Sequence, residues 1–166
     1  MRNVTAGNGD VSLASSGGAI VTQQPSIFTR LLARVAEITG ITGDRIELSA
    51  ASGLGNGEQG ALQLHGNSVN ASTTSGDVNL AQSQAVNLEQ VSTGNGNVSV
   101  TVADGNATLG NISASGSVGL NAENGQLVDD GNGNTRVKGD ALDLTASNGI
   151  AVQTQANSCL LYTSPS

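Results

Sequence analysis

Gly76-Asp77-Val78-Asn79-Leu80, Gly96-Asn97-Val98-Ser99-Val100 and Gly116-Ser117-Val118-Gly119-Leu120 open at the evenly spaced positions 76, 96 and 116. Each places a Gly turn ahead of an apolar, polar, apolar run, the period-2 signature of a strand with one buried face. A unit this short cannot close a core alone, so its repeats must stack. Stacked parallel, each coil pairs its backbone with the coils above and below at about 4.8 Å and carries one aliphatic column through the stack. Gly9-Asp10-Val11-Ser12-Leu13 reads as a fourth copy of the phrase.

A second element sits between the copies. Val86, Leu88 and Val91 are matched in order by Ala107, Leu109 and Ile112 at a constant offset, and a turn follows each triplet. Each coil therefore holds at least two short strands. A longer echo relates residues 43–54 to residues 139–150, so that Ile46 and Leu48 correspond to Leu142 and Leu144. Gly-Asn-Gly recurs at 7–9, 55–57, 94–96 and 131–133. Tight corners require positive φ, which Gly adopts freely and Asn tolerates. The sequence thus predicts an all-β parallel β-helix, or β-solenoid, of roughly eight coils of about 20 residues, spanning about 38 Å.

One stretch breaks the rhythm, and two readings fit it. Ile27, Leu31, Val35 and Ile38 are spaced as on a short amphipathic helix inserted over residues 26–36. Alternatively Val35, Ile38, Ile41 and Ile46 form another coil, echoing Val86, Leu88, Val91 and Val98.

Composition narrows the partners. Phe28 and Tyr162 are the only aromatics and Trp is absent, so the interior must be built from small aliphatics, which favours a thin, elongated core. Only 11% of residues are charged and the aliphatics recur at ordered intervals, which argues against disorder. Six basic against 13 acidic residues, with Lys138 the single lysine, make nucleic acid and anionic membrane surfaces poor partners. No apolar run approaches the roughly 20 residues of a membrane span, and the N-terminus lacks the regions of a signal peptide. Because Met1 to Asp10 already reads as repeat material, the chain is expected to begin inside a longer protein. Residues 1–158 then form one repeat segment, whose first and last coils are sticky unless covered.

Residues 159–166, from Cys159 to Ser166, hold the only Cys and Tyr and one of the two Pro. The string resembles the translation of the transposon-end adapter of a common sequencing library, which implies a non-native tail. Cys159 then carries no redox meaning.

Ser92-Thr93-Gly94-Asn95-Gly96-Asn97-Val98-Ser99-Val100 and Leu142-Asp143-Leu144-Thr145-Ala146-Ser147-Asn148-Gly149-Ile150 resemble the repeats of filamentous-haemagglutinin-like exoproteins and related autotransporter adhesins. The likeness extends over nearly all of 1–158, although the secretion domain that defines the two-partner branch is not visible. The resemblance implies a right-handed parallel β-helix exported to the outer membrane surface or secreted, serving as a stalk or adhesive rod. Its implied partners are neighbouring coils of the same polypeptide and host-cell glycans, matrix or other cells. It carries over no catalytic residue and no cofactor.

The singular residues offer few sites. His65, the only histidine, faces outward by alternation with Leu62 and Leu64, and no cysteine within 1–158 completes a zinc set. No Gly-x-Ser-x-Gly elbow nominates a nucleophile. Residues 55–60 match the dinucleotide fingerprint, but strand-like residues 61–64 follow where a helix is required, so they read as a corner. Asp130, Asn132 and Asn134 imitate the start of an EF-hand loop. Thr135 and Ala141, however, stand where its Gly and bidentate Glu belong, which makes an acidic turn the better reading. Sequons at Asn3, Asn70, Asn97, Asn106 and Asn111 are expected by chance in such a composition. A non-enzymatic rod leads. A polysaccharide lyase or hydrolase, which needs paired carboxyls in a groove, is the alternative. An ice-binding face ranks last because no Thr rank repeats in register.

Overall fold

The computed structural model describes residues 3–21, 36–37, 40–55 and 60–163. They form parallel strands stacked in about six coils, a β-solenoid, with no helix among them. The strands among the described residues are numbered β1 to β17 in chain order. One ladder runs through β1 (Asn3–Thr5), β5 (Gly40–Thr42), β7 (Leu62–His65), β9 (Val78–Gln82), β11 (Val98–Val102), β13 (Val118–Ala122) and β15 (Val137–Ala146). A second runs through β2 (Val11–Ser15), β6 (Arg45–Ala50), β8 (Ser68–Thr73), β10 (Val86–Thr93) and β12 (Ala107–Ser113). The long strand β15 turns a corner and belongs to both. The remaining strands are β3 (Ile20–Val21) and β4 (Ala36–Glu37), paired with each other, then β14 (Leu127–Asp129), β16 (Ile150–Ala151) and β17 (Thr154–Thr163).

The evenly spaced phrase does what its alternation requires. Val98 lies opposite Val78 on one side and Val118 on the other, and all three are at most 1% exposed. Val100 joins Leu80 and Leu120 in the next column inward. Among the described residues, the buried apolar side chains are Val, Ile, Leu and Ala alone. Each such Val or Leu contributes about 1.5–3 kcal/mol on burial, and the core is long because no large ring thickens it. Thr73, Gln82 and Thr93 are the buried polar residues. Both threonine hydroxyls donate to the Gly76 carbonyl. Gln82 is 2% exposed, its Nε2 donates to the Gly66 carbonyl at 2.6 Å, and its Oε1 has no protein partner.

The second element also pairs as spaced, with Val86, Leu88 and Val91 opposite Ala107, Leu109 and Ile112. It is bent, however. Glu89 and Gln90 interrupt the alternation of β10, and Gly110 fills the same corner one coil on, where a Cβ would sit 2.4 Å from the Glu89 carbonyl oxygen. The halves of β12 consequently pair with different strands, Ala107–Leu109 with β14 and Ile112–Ser113 with the start of β15. A coil therefore has three strand segments.

Several expectations change. The stack has about six coils rather than eight, because the even spacing of the phrase holds only where β9, β11 and β13 succeed one another. Elsewhere a coil lengthens: the steps from Ile46 to its partner Val69 and from Ile112 to its partner Val137 both exceed the step from Val78 to Val98. The supposed fourth copy falls on a different ladder, since Val11 and Leu13 lie opposite Ile46 and Leu48. The longer echo is split likewise, because Ile46 stacks on Val69 while Leu142 stacks on Val118. A Gly, a polar residue and an alternating triplet encode a corner and a strand; they do not say which face the strand joins.

Of the two readings for the irregular stretch, the helical insertion over residues 26–36 lies outside the described residues except for Ala36, which is in strand β4. The alternative register fails where it is visible. Ile41 stacks between Val4 and Leu64, and Ile46 aligns through Val69 with Leu88, not with Val98.

The corners follow another rule than expected. Among the described residues no Asn has positive φ. Asn and Asp instead bind the next coil. Asp77 Oδ1 accepts the Asn97 N–H and Nδ2–H at 2.8 and 3.2 Å, and Asn97 Oδ1 accepts the Ser117 N–H and hydroxyl at 2.9 Å each. Asp104 Oδ1 accepts from Asn124 Nδ2, and Asn106 Oδ1 from the Gln126 N–H. These side chains satisfy corner amides that the strand ladder leaves over. Neither Gly94 nor Gly96 of the third Gly-Asn-Gly is left-handed. A Cβ there would lie 2.5 Å from the Thr74 and 2.4 Å from the Gly76 carbonyl oxygen. Close coil-to-coil approach excludes a side chain.

Candidate functional site

The bend at Glu89-Gln90 makes the outer surface concave where β2, β6, β8 and β10 lie side by side. The resulting open groove, about 470 Å³, is bordered by Leu13, Arg45, Glu47, Asn70, Glu89 and Gln90 among others. The Glu89 carboxylate stands on its wall. Oε1 accepts the Ser68 hydroxyl at 2.6 Å, Oε2 accepts Asn70 Nδ2 at 3.0 Å, and Arg45 NH2 closes an ion pair with Oε2 at 2.8 Å. Arg45 Nε also reaches Glu47 Oε1 at 3.3 Å. Three successive coils are thereby joined on their outer face.

The Ser68 hydrogen bond, more than those from Asn70 or the Arg45 charge, holds Glu89 below the usual 4.5, against an opposing effect of partial burial. A carboxyl with a lowered folded pKa contributes stability that is present above its unfolded value and lost as pH falls through the folded one. The stability of the protein should therefore drop as pH falls below about 4.5, by under about 1 kcal/mol for this half-exposed group. Glu89→Gln should remove that part of the acid dependence, as read by urea unfolding at a series of pH values.

From the groove wall, Ser49 and Ser72 continue through Ser92 and Ser113 as one outward rank across four coils, beside Glu47, Asn70, Gln90 and Asn111. Neither the rank nor the Arg45–Glu89 pair was legible in the sequence. The steps between successive serines are unequal, which hides them from a search at one period, and Arg45 and Glu89 stand two coils apart along the chain.

The residues singled out by sequence lie apart from this groove, apart from Asn70. His65 is exposed, its Nδ1 2.6 Å from the Ser83 hydroxyl. Of the fingerprint-like run, 56–59 lie outside the described residues, Gly55 has φ 69°, and strand β7 follows. Asp130, Asn132 and Asn134 lie in an exposed turn inserted between β14 and β15. There Asp130 Oδ1 accepts the Asn132 N–H at 2.9 Å and the Thr135 hydroxyl, while Asn132 Oδ1 accepts the Asn134 N–H at 3.1 Å. The Thr135 hydroxyl first, then the Asn132 amide, lower the pKa of Asp130. Asp130 Oδ1 and Asn132 Oδ1 thus accept the turn's own donors, and no group of three or more His, Cys, Asp or Glu capable of holding a metal occurs among the described residues. Cys159–Thr163 extends the ladder as part of β17, with Cys159 opposite Leu142 and Leu161 opposite Leu144, yet every residue of β17 is exposed.

Chemically, the groove offers hydroxyls, amides and a guanidinium neutralised by two carboxylates, a surface suited to hydrogen bonding with polar, uncharged groups. The chain matches no family model, no curated protein and no solved structure.

Proposed function

We propose that this segment is a structural and adhesive rod within a large secreted or surface-displayed bacterial adhesin. The observation that supports the reading is uniformity. Aliphatic columns run from coil to coil, interrupted only at Thr73, Gln82 and Thr93 among the described residues, and the outer faces repeat hydroxyls and amides. Such a lattice holds the coils at fixed spacing and repeats weak polar contacts along its length, the arrangement from which multivalent attachment to glycans or matrix arises. The resemblance of Ser92 to Val100 and of Leu142 to Ile150 to exoprotein repeats supplies the adhesin context.

Displayed on a bacterial outer membrane, the segment should confer binding to immobilised glycans or matrix. Excising residues 98–117 should bring Val78 against Val118, keep the fold and shorten the reach by one coil, about 4.8 Å. Removal of the coils from 78 to 122 with adhesion and reach unchanged would count against the proposal.

One observation bears on a polysaccharide lyase or hydrolase. Glu47 and Glu89 both contact Arg45 in an open groove. A general acid, however, needs a raised pKa, and that of Glu89 is lowered. Release of unsaturated or reducing sugar ends from a polysaccharide panel, lost in Glu47→Gln and Glu89→Gln, would reverse the ranking.

A further inference from the structure

Asn-Gly pairs begin at Asn8, Asn56, Asn95, Asn124, Asn132 and Asn148, of which Asn56 lies outside the described residues. Such a pair rearranges when the glycine nitrogen attacks the asparagine Cγ. The reaction needs an uncommitted glycine N–H, a side-chain amide free to depart, a carbonyl polarised at Oδ1 and room around the glycine. The solenoid withholds one or more of these at Asn8, Asn95 and Asn124, and at Asn148 it fixes the flanking backbone away from the attack geometry. Gly9 N–H donates to the Ala6 carbonyl at 2.8 Å, and Gly96 N–H to the Ser115 hydroxyl at 3.1 Å. Asn124 Nδ2, the leaving group, donates to the Ala103 carbonyl and to Asp104 Oδ1 at 3.0 and 3.1 Å. Gly125 is pressed against the coil before it, where a Cβ would lie 1.9 Å from the Gly105 oxygen. At Asn148, its own N–H donates to the Gly125 carbonyl and the Gly149 carbonyl accepts the Leu127 N–H, which pins the peptide on both sides into the ladder.

Asn132-Gly133 lies off the ladder and carries none of these ties. Asn132 Oδ1 accepts the Asn134 N–H at 3.1 Å, which wraps the side chain over the Gly133 peptide and withdraws charge from Cγ. Asn132 Nδ2 and the Gly133 N–H have no hydrogen-bond partner among the described residues, and nothing lies within 4 Å of the place a Gly133 Cβ would take. We infer that Asn132-Gly133 is a site of spontaneous covalent modification, a deamidation through a cyclic imide. The Gly133 N to Asn132 Cγ bond forms, the Cγ to Nδ2 bond breaks, and Nδ2 leaves as ammonia with the proton displaced from Gly133. Water then opens the ring at either carbonyl, giving aspartate or isoaspartate, with no oxidant or reductant involved. The change adds a negative charge beside Asp129 and Asp130. Because this turn is an insertion outside the strand ladder, the stack tolerates the extra backbone methylene of the isoaspartate form.

The test is to incubate the folded full chain in mildly alkaline buffer, digest it and follow each Asn-Gly peptide by mass spectrometry with isoaspartate detection, alongside the same chain in urea. In urea all pairs should react at similar rates. In the folded chain Asn132 should stay within a few-fold of its urea rate, while Asn95, Asn124 and Asn148 should slow by at least about tenfold, the factor that about 1.4 kcal/mol imposes on a barrier. Gly133→Val should abolish the folded-state reaction. Ladder asparagines that keep pace with Asn132 when folded, or an Asn132 slowed as much as they are, would overturn the inference.

Discussion

Val98→Asp should abolish cooperative folding at neutral pH. Val98 is 1% exposed between Val78 and Val118, so an aspartate there is buried in a column of valines. An ionised carboxyl without partners in such a column costs several kcal/mol, comparable with the roughly 5–15 kcal/mol that holds a whole domain together. Burial raises the folded-state pKa of the new group, so its penalty is full above the folded value and is relieved as pH falls from there to the unfolded one. Circular dichroism melts should show partial recovery of structure on acidification, a trend opposite to the one Glu89 imposes on the parent chain. Ser99→Asp, at the next position on the exposed face, should change stability by no more than about 0.5 kcal/mol. Similar losses from both variants would mean that β11 does not bury one face.

Gly76→Ala is the other large effect, and it separates two reasons for a corner glycine. Gly76 has φ 79°, and a Cβ on it would lie 2.1 Å from the Ser52 carbonyl oxygen of the preceding coil. Gly131 has the same φ of 79° with nothing within 4 Å. Both alanine variants carry the left-handed backbone cost of about 1–2 kcal/mol. Gly76→Ala must in addition push two coils apart, for another roughly 1–3 kcal/mol. Urea unfolding should place Gly76→Ala well below Gly131→Ala; equal losses would show that coil spacing at that corner is slack.

That contrast shows why corners were only partly legible. The density of Gly and Asn marks a corner wherever it occurs, but the cause is split among residues alike in one dimension. Gly131 serves backbone conformation, Gly96 serves coil contact without positive φ, and Asn97 serves as a side-chain link between the Asp77 and Ser117 corners. In sequence both glycines read as φ positions and Asn97 as no more than part of the repeated phrase, because the neighbouring coil that decides their roles lies a full turn of the solenoid away. The groove was hidden for the same reason. Arg45, Ser68, Asn70 and Glu89 meet only because three coils of unequal length bring them into one register.

Local grammar is written in the order of residues: apolar alternation makes each strand bury one face, and recurrence of that alternation on short units obliges the strands to stack in parallel. The matches of Val78 with Val98 and Val118, and of Val86, Leu88 and Val91 with Ala107, Leu109 and Ile112, were readable because equal or nearly equal stretches of chain separate them. Which face each strand joins, how many coils there are, and the stacking of Val11 on Ile46 emerge only from the assembled stack. The physical reason is that ladder membership depends on where the chain stands after every preceding corner. A corner that takes in extra residues, as the turn between Asp129 and Val137 does, shifts all that follow without altering the local pattern of any strand.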